Sequence, residues 1–440
     1  MAFRAEEMNP KDMTVVICGG GNAAHVLSVL CSSSSRKGLS AEDVRVLDIY
    51  SNEAEKWNEV VTCKFPDGTK MKSNLKIVSK DVEKVIPKSP CLVIFAVPGF
   101  AHEAYLRAIR PHLTDGSVIG AMPGEGAFDV AVHYVFENDK QWLESLNLKP
   151  LKYDIWAMDT LPWACRISEY GKSVDLLATK AYVDVAIYPP SRQDAIVKTL
   201  QNLLGGIELK PISNILAVTL GRFWHPIITY GYYRNRLPLE KELDAPPLFY
   251  ESIDTFTAEK ISAVSDEILE VKKTLLSRYP TMNLASVVHV KDWMLASYGE
   301  EIADKTNLQT MLNTNHGYLG LTHPTVEVEV DGKKAYMPNF KYRYLSEDIP
   351  FGLVVARGIA ELADVKTPNI DEVIIWAQER LGKQYLSLNT VGGTVKGTRD
   401  MHETRCPQRY GFENLDEFIK ANHYNDKHVY RDPSSSALLQ

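Results

Sequence analysis

Val15-Val16-Ile17-Cys18-Gly19-Gly20-Gly21-Asn22-Ala23-Ala24-His25 is the stretch that decides how the first part of this chain folds. An apolar, β-branched run leads into a glycine turn, and Ala23, Val26, Leu27 and Leu30 then recur at helical spacing. Gly19, Gly21 and Ala24 occupy a G-x-G-x-x-A frame between that strand and that helix. The first glycine permits the tight turn, the second lets a pyrophosphate approach the backbone, and the small Ala24 lets helix and strand pack closely. Free amides at the helix start attract the anion. Asp48, near the end of the next β-branched run, is placed to accept from the adenosine ribose hydroxyls. Its charge disfavours a 2′-phosphate, so the pattern predicts NAD rather than NADP.

Outward from this turn, strand-like and helix-like segments alternate. Met13 to Cys18, Val44 to Tyr50, Lys76 to Val78, Cys91 to Val97 and Ser117 to Met122 read as strands of βα units. The unbroken apolar run Leu92 to Val97 suits a strand covered on both faces. Tyr153 to Arg166 and Val174 to Tyr188 read as further strands, and Ser191 to Leu204 as a helix closed by Gly205-Gly206. From Pro211 the period lengthens to 3.6 over Ile212 to Tyr232, Thr257 to Ser277, Leu284 to Tyr298, Phe351 to Leu362 and Ile370 to Leu381. The expected architecture is an α/β Rossmann-type domain with a doubly wound parallel sheet over residues 1–210, followed by a mainly α-helical domain over 211–440.

Composition bounds the function. With 440 residues the chain has room for about two or three domains. A net charge of −7 makes a polyanionic partner a poor match, so nucleic-acid binding is not expected. The six cysteines are dilute and lie mostly inside apolar runs, which predicts reduced thiols. Residues 1–8 mix both charge signs without an apolar core, and the longest apolar stretch, about 90–101, contains Pro98 and is too short for a membrane span. A cytoplasmic enzyme without membrane or obligate protein partner is the expectation.

Metal chemistry finds little support: there is no C-x-x-C, and His102-Glu103 has Leu106 where a zinc helix needs its second histidine. The glycine-rich stretch 391–398 lacks the order of a phosphate loop. A bound nicotinamide still requires a proton donor and a cation for an anionic substrate. Among the histidines, His25 reads as structural and His423 and His428 as solvated. His225, in Gly221-Arg222-Phe223-Trp224-His225-Pro226, opens the helical half and is the candidate acid or base, against the alternative of a satisfied core histidine. Lys341 to Pro350 holds Arg343 and Asp348 five apart, either as its partners or as a salt-bridged turn.

Several separated blocks, taken together, resemble the opine dehydrogenases of marine invertebrates. They are Cys18 to Asn22, Val97-Pro98-Gly99-Phe100-Ala101-His102-Glu103, Thr160-Leu161-Pro162-Trp163-Ala164-Cys165-Arg166, Trp224-His225-Pro226, Arg343 to Pro350, Trp376-Ala377-Gln378-Glu379 and Thr404 to Phe412. The resemblance implies a Rossmann domain and a helical domain with NADH and substrates meeting between them. It implies reductive condensation of pyruvate with an amino acid, a reversible imine reduction that regenerates NAD for glycolysis. The implied cofactor set is Gly19, Gly20, Gly21, Asn22, Ala23, Ala24, Asp48, Val97 and Pro98. His225 would be the acid/base residue, Asp348 would orient its imidazole, and Arg343 would hold a carboxylate. Thr160, Cys165 and Asp159 would line the amino-acid site.

Departures from the octopine-forming members refine the substrate. Asp159 stands where they carry a glutamate before Thr-Leu-Pro-Trp, and Glu125 stands where they carry an amide. Arg222, one helical turn before His225, is outside their pattern and offers an extra anion site, or else a surface charge. These differences point from arginine toward glycine, alanine, β-alanine or taurine. Alternatives are an arginine-using octopine dehydrogenase, another two-domain NAD-dependent hydroxy-acid dehydrogenase, and a non-catalytic NAD sensor.

Overall fold

Short β-branched runs supply the strands of the first unit: β1 Thr14–Cys18, β2 Asp43–Leu47, β3 Thr62–Lys64, β4 Lys70–Lys72, β5 Ile77–Ser79, β6 Cys91–Phe95, β7 Ser117–Ala121, β8 Tyr153–Met158, β9 Trp163–Glu169, β10 Ser173–Thr179, β11 Tyr182–Tyr188 and β12 Glu208–Ile212. The computed structural model describes residues 12–36, 39–50, 52–221, 224–236, 242–388 and 393–425. Arg222, His428 and part of the 391–398 loop lie outside the described residues.

The large sheet has the order β12-β11-β8-β7-β6-β1-β2-β5. Its six strands from β5 to β8 run parallel, with the order reversing between β1 and β6, as in dinucleotide-binding sheets. β11 pairs antiparallel with β8 and brings β12 in beside it. Every residue of β6 and β7 is buried, which is why Leu92–Val97 reads as an unbroken apolar run.

A second sheet, β4-β3-β10-β9, corrects the expectation of single long strands. The segment read as one strand from Tyr153 turns at 159–162, so β8 joins the large sheet and β9 the small one. The segment from Val174 likewise turns after Thr179 and divides between the sheets as β10 and β11. Burial follows the division: Ile155–Met158 is buried throughout, whereas Trp163 and Cys165 are buried and Ala164 and Arg166 exposed. The helix Asn22–Ser32 packs against both sheets, and every residue from Ala23 to Ser32 is buried. That enclosure explains an apolar helix with no solvated stripe.

Among the described residues the first unit runs to Val218 and includes Thr281–Asn283 and the segment from Ile419; the second holds Thr219–Pro280 and Leu284–Phe418. The expected boundary lay at 210/211, with the carboxyl-terminal segment in the helical domain. In the structure β12 takes up residues to Ile212 and pairs with β11, so the helical half begins later than its periodicity suggested.

The second unit is mainly helical. Thr255–Arg278 is its longest helix, capped by Asp254, whose Oδ1 accepts from the Thr257 amide at 2.8 Å. Packed on it are His225–Tyr233, Leu308–Asn313 and Pro368–Leu381. The expected helix Ile212 to Tyr232 is divided into Leu216–Thr219 and His225–Tyr233, the latter with Pro226 in its first turn. A hairpin, β13 Thr325–Val330 with β14 Lys333–Pro338, escaped the sequence reading. No described helix is long and apolar enough to cross a membrane.

Candidate active site

Within the first unit, candidate residues collect at the carboxyl ends of the parallel strands. Gly19 follows β1 with φ +119°, and a Cβ there would lie 2.4 Å from Val97 Cγ1 and 2.9 Å from the Ala96 carbonyl oxygen. Its amide donates to the Leu47 carbonyl at 2.9 Å, drawing the ends of β1 and β2 together. A Cβ on Gly20 would fall 2.1 Å from Asp48 Oδ2, so only glycine lets that carboxylate lie against the loop. A Cβ on Gly21 meets nothing within 4 Å.

Gly21 starts the helix Asn22–Ser32 without a side-chain cap, and the first turn has no acidic residue. Room, uncapped amides and the helix dipole together fit a pyrophosphate. Ala23 and Ala24 are buried, so their side chains serve packing and only their backbone belongs to this surface. Asn22 is likewise structural: its Oδ1 accepts from the Ile167 amide at 2.8 Å and fastens the loop to β9. His25 is buried; its Nε2 accepts from the Gly171 amide at 2.8 Å, so Nδ1 carries the proton toward the Gly21 carbonyl at 3.0 Å. Burial lowers its pKa, in keeping with a neutral structural imidazole.

Asp48 lies beyond β2 with 1% of its surface exposed. Tyr170 brings its hydroxyl 3.1 Å from Asp48 Oδ2 and 3.0 Å from Glu53 Oε2, making a second acid part of this corner. Burial raises the Asp48 carboxyl, against the pull of the Tyr170 hydroxyl. Neither Tyr170 nor Glu53 was singled out from the sequence, because Tyr170 stands in the turn between β9 and β10, far along the chain. Val97 and the exposed Pro98 follow β6, where His102 Nε2 lies 3.1 Å from the Val97 carbonyl oxygen.

Glu125 and Asp159-Thr160 follow the neighbouring strands β7 and β8, whose ends are tied by the Gly124 amide to the Met158 carbonyl at 2.8 Å. Glu125 holds φ +52° and Ala127 φ +58°, uncommon for residues with a Cβ and a mark of a constrained turn. Lys180 donates from Nζ to Thr160 Oγ1 at 2.6 Å, placing a cation on the residue that follows Asp159. Cys165 requires a correction. It points into the apolar core with Cys63, Val174 and Leu176, since β9 alternates its faces and Cys165 takes the inward one. Burial pushes its thiol up to about 11.

Within the second unit, His225 Nδ1 stands 2.7 Å from Asp348 Oδ2. Asp348 is 9% exposed by side chain against 28% for His225, so the carboxylate is committed while the imidazole keeps an open edge. Tyr344 stacks on the imidazole with centroids 4.2 Å apart and planes within 11°. It was legible only as part of an aromatic-rich stretch. Arg343 is exposed, with Nε 3.8 Å from Glu347 Oε2. Arg343 and Asp348 are therefore not a pair: the short helix Arg343–Ser346 and the π-type turn Ile349–Leu353 aim them differently.

A family model described as NAD/NADP octopine/nopaline dehydrogenase, alpha-helical domain, matches residues 211–381. The chain is 37% identical over 425 residues to the tauropine dehydrogenase of Arabella iricolor, covering 92% of this chain and 100% of that one. It is 36% identical over 419 residues to the octopine dehydrogenase of Pecten maximus, covering 92% and 98%. A solved structure of octopine dehydrogenase with NADH and L-arginine is similar at a TM-score of 0.80 and 34% identity, over 92% of this chain and 98% of that one. A glycine loop with Asp48 behind it, a His225–Asp348 pair and relatives this similar along nearly their whole length lead to one conclusion: the chain belongs to the opine dehydrogenase family.

Proposed function

We propose that the chain condenses pyruvate with a small amino acid or taurine and reduces the resulting imine to an opine, acting as an NAD-dependent oxidoreductase on a C–N bond. Bound NADH supplies the hydride. The observation that carries the acid/base role is the 2.7 Å contact between His225 Nδ1 and Asp348. With Nδ1–H committed to the carboxylate, Nε2 is the ring atom left to hold the proton that the imine nitrogen takes. Arg343, exposed on the short helix Arg343–Ser346, is assigned to a substrate carboxylate through a forked contact. Gly19, Gly20 and Gly21 hold the pyrophosphate and Asp48 the ribose, with Val97 and Pro98 on the nicotinamide side. The six cysteines, all buried and unbridged, support a cytoplasmic setting.

Asp48 and Glu53 give this reading a direct test. NADH is expected to bind about two decades more tightly than NADPH, because a 2′-phosphate set against carboxylates costs several kcal/mol. Asp48→Ala should narrow the gap in a fluorescence titration, and equal affinities in the wild type would remove Asp48 from cofactor selection.

The amine is the finer question. Lys180 beside Asp159 and Thr160 presents a cation where a guanidinium would meet like charge, and Asp159 is a short acid. Losing a charge-assisted contact costs roughly 1.5–3 kcal/mol, or about one to two decades in efficiency. NADH oxidation with pyruvate and glycine, alanine, β-alanine, taurine or arginine is expected to rank arginine last. Arginine in first place would establish the octopine-forming reading instead. Oxidation that ignores the amine would sink the opine reading altogether. If taurine leads, Arg222→Ala should weaken it more than it weakens pyruvate.

A further inference from the structure

At the amino-terminal edge of the large sheet, away from the cofactor loop, three residues converge that the reaction does not use. His133 ends the helix Phe128–His133, Glu137 lies one turn on, and His423 follows the helix Leu415–Ala421. One ligand atom from each lies within 4.8 Å of the others, and no other group of this kind occurs among the described residues. His423 Nε2 is 3.8 Å from Glu137 Oε2, and the two imidazole centroids are 5.4 Å apart.

Hydrogen bonding fixes which nitrogen of His133 is available. Tyr153 donates its hydroxyl proton to Glu137 Oε1 at 2.7 Å, because a carboxylate can only accept. The Tyr153 oxygen, 2.8 Å from His133 Nδ1, is therefore the acceptor, and Nδ1 carries the proton. Nε2 keeps a lone pair, is fully buried, and has no hydrogen-bond partner among the described residues. A ligating histidine whose other nitrogen donates to an anchored oxygen is the arrangement that orients imidazoles on metals.

We propose that His133, Glu137 and His423 bind one divalent transition-metal ion of the zinc class, which fastens the carboxyl-terminal segment to the first unit. Two imidazoles and one carboxylate match zinc or its neighbours, whereas calcium and magnesium call for oxygen ligands. Ligands of one tetrahedral zinc ion stand about 3.5 Å apart, so the half-exposed Glu137 and His423 close the remaining distance. The segment they hold is already seated: Tyr424 donates to Asp129 Oδ2 at 2.6 Å, and its carbonyl accepts from Asn214 Nδ2 at 3.1 Å.

Cobalt titration of untagged, chelator-dialysed full-length protein tests this, read by visible d–d absorption and followed by zinc displacement. One cobalt ion per chain is expected, displaced by zinc, with a zinc-dependent rise in melting temperature. His423→Ala and the near-isosteric Glu137→Gln should each weaken binding at least about tenfold and abolish that rise. Tyr153→Phe, which leaves all three ligands in place, should weaken it roughly 10–100-fold through the imidazole it orients. The chelated enzyme and all three variants should retain NADH binding. No saturable cobalt binding, or binding unchanged in His423→Ala and Glu137→Gln, would overturn the site.

Discussion

Replacing His225 with alanine is expected to lower turnover about 10² to 10⁴-fold, the usual contribution of a positioned general acid or base. The imidazole has no second assignment to blur the result. It is 28% exposed by side chain and begins a helix whose capping does not depend on it, so truncation removes chemistry and, of the packing, chiefly the Tyr344 stack. Asp348→Asn keeps the shape beside Nδ1 and removes the charge; turnover should fall within the same range. NADH affinity, measured by fluorescence titration, should stay close to wild type in both variants, because the residues assigned to the cofactor all lie in the first unit. A His225 variant with near wild-type turnover would take it out of the mechanism.

A second large effect separates two glycines of one loop. Gly19→Ala forces a side chain to φ +119° and drives its Cβ to 2.4 Å from Val97 Cγ1, with the Ala96 carbonyl oxygen only 2.9 Å away. Strain of this kind costs roughly 1–3 kcal/mol before the clash is counted, so both melting temperature and NADH binding should fall. Gly21→Ala is different. Its φ is −77° and its Cβ would enter open space, so the expected stability cost is about 1 kcal/mol or less, that of a poorer helix start. Its NADH affinity should nonetheless drop at least about tenfold, because the added methyl occupies the space through which a pyrophosphate reaches the backbone. Wild-type NADH affinity in Gly21→Ala would show that the loop is not the phosphate cradle.

The elements that sequence periodicity identified are those whose signal is local. β1, β6 and β7 announce themselves as apolar runs, and the long helix Thr255–Arg278 repeats its buried positions Ile261, Val264, Ile268, Val271 and Leu275 at helical spacing. β3 and β4, three residues each, and the hairpin β13–β14 are too short or too polar to stand out. The division of two expected strands between two sheets was missed for another reason. Asp159-Thr160-Leu161-Pro162 marks a turn, but only pairing partners reveal that the chain changes sheets there.

By itself the sequence determined the strand–glycine–helix turn at Val15–His25, the acid after β2, the helical second half and the separated blocks that carry the family resemblance. All of these are residue types at fixed short spacing, and backbone geometry converts such spacing directly into structure. Tertiary structure alone decided what those residues touch. It turned Cys165 inward, set Tyr170 between Asp48 and Glu53, sent Asp348 rather than Arg343 to His225, and laid Tyr344 on the imidazole. It also brought His423, which reads as a solvated tail residue, to His133 and Glu137. His225 and Asp348 are 123 residues apart, and Asp48 and Tyr170 are 122 apart. Contacts over such separations depend on how whole elements pack, and no periodicity within a single segment encodes them.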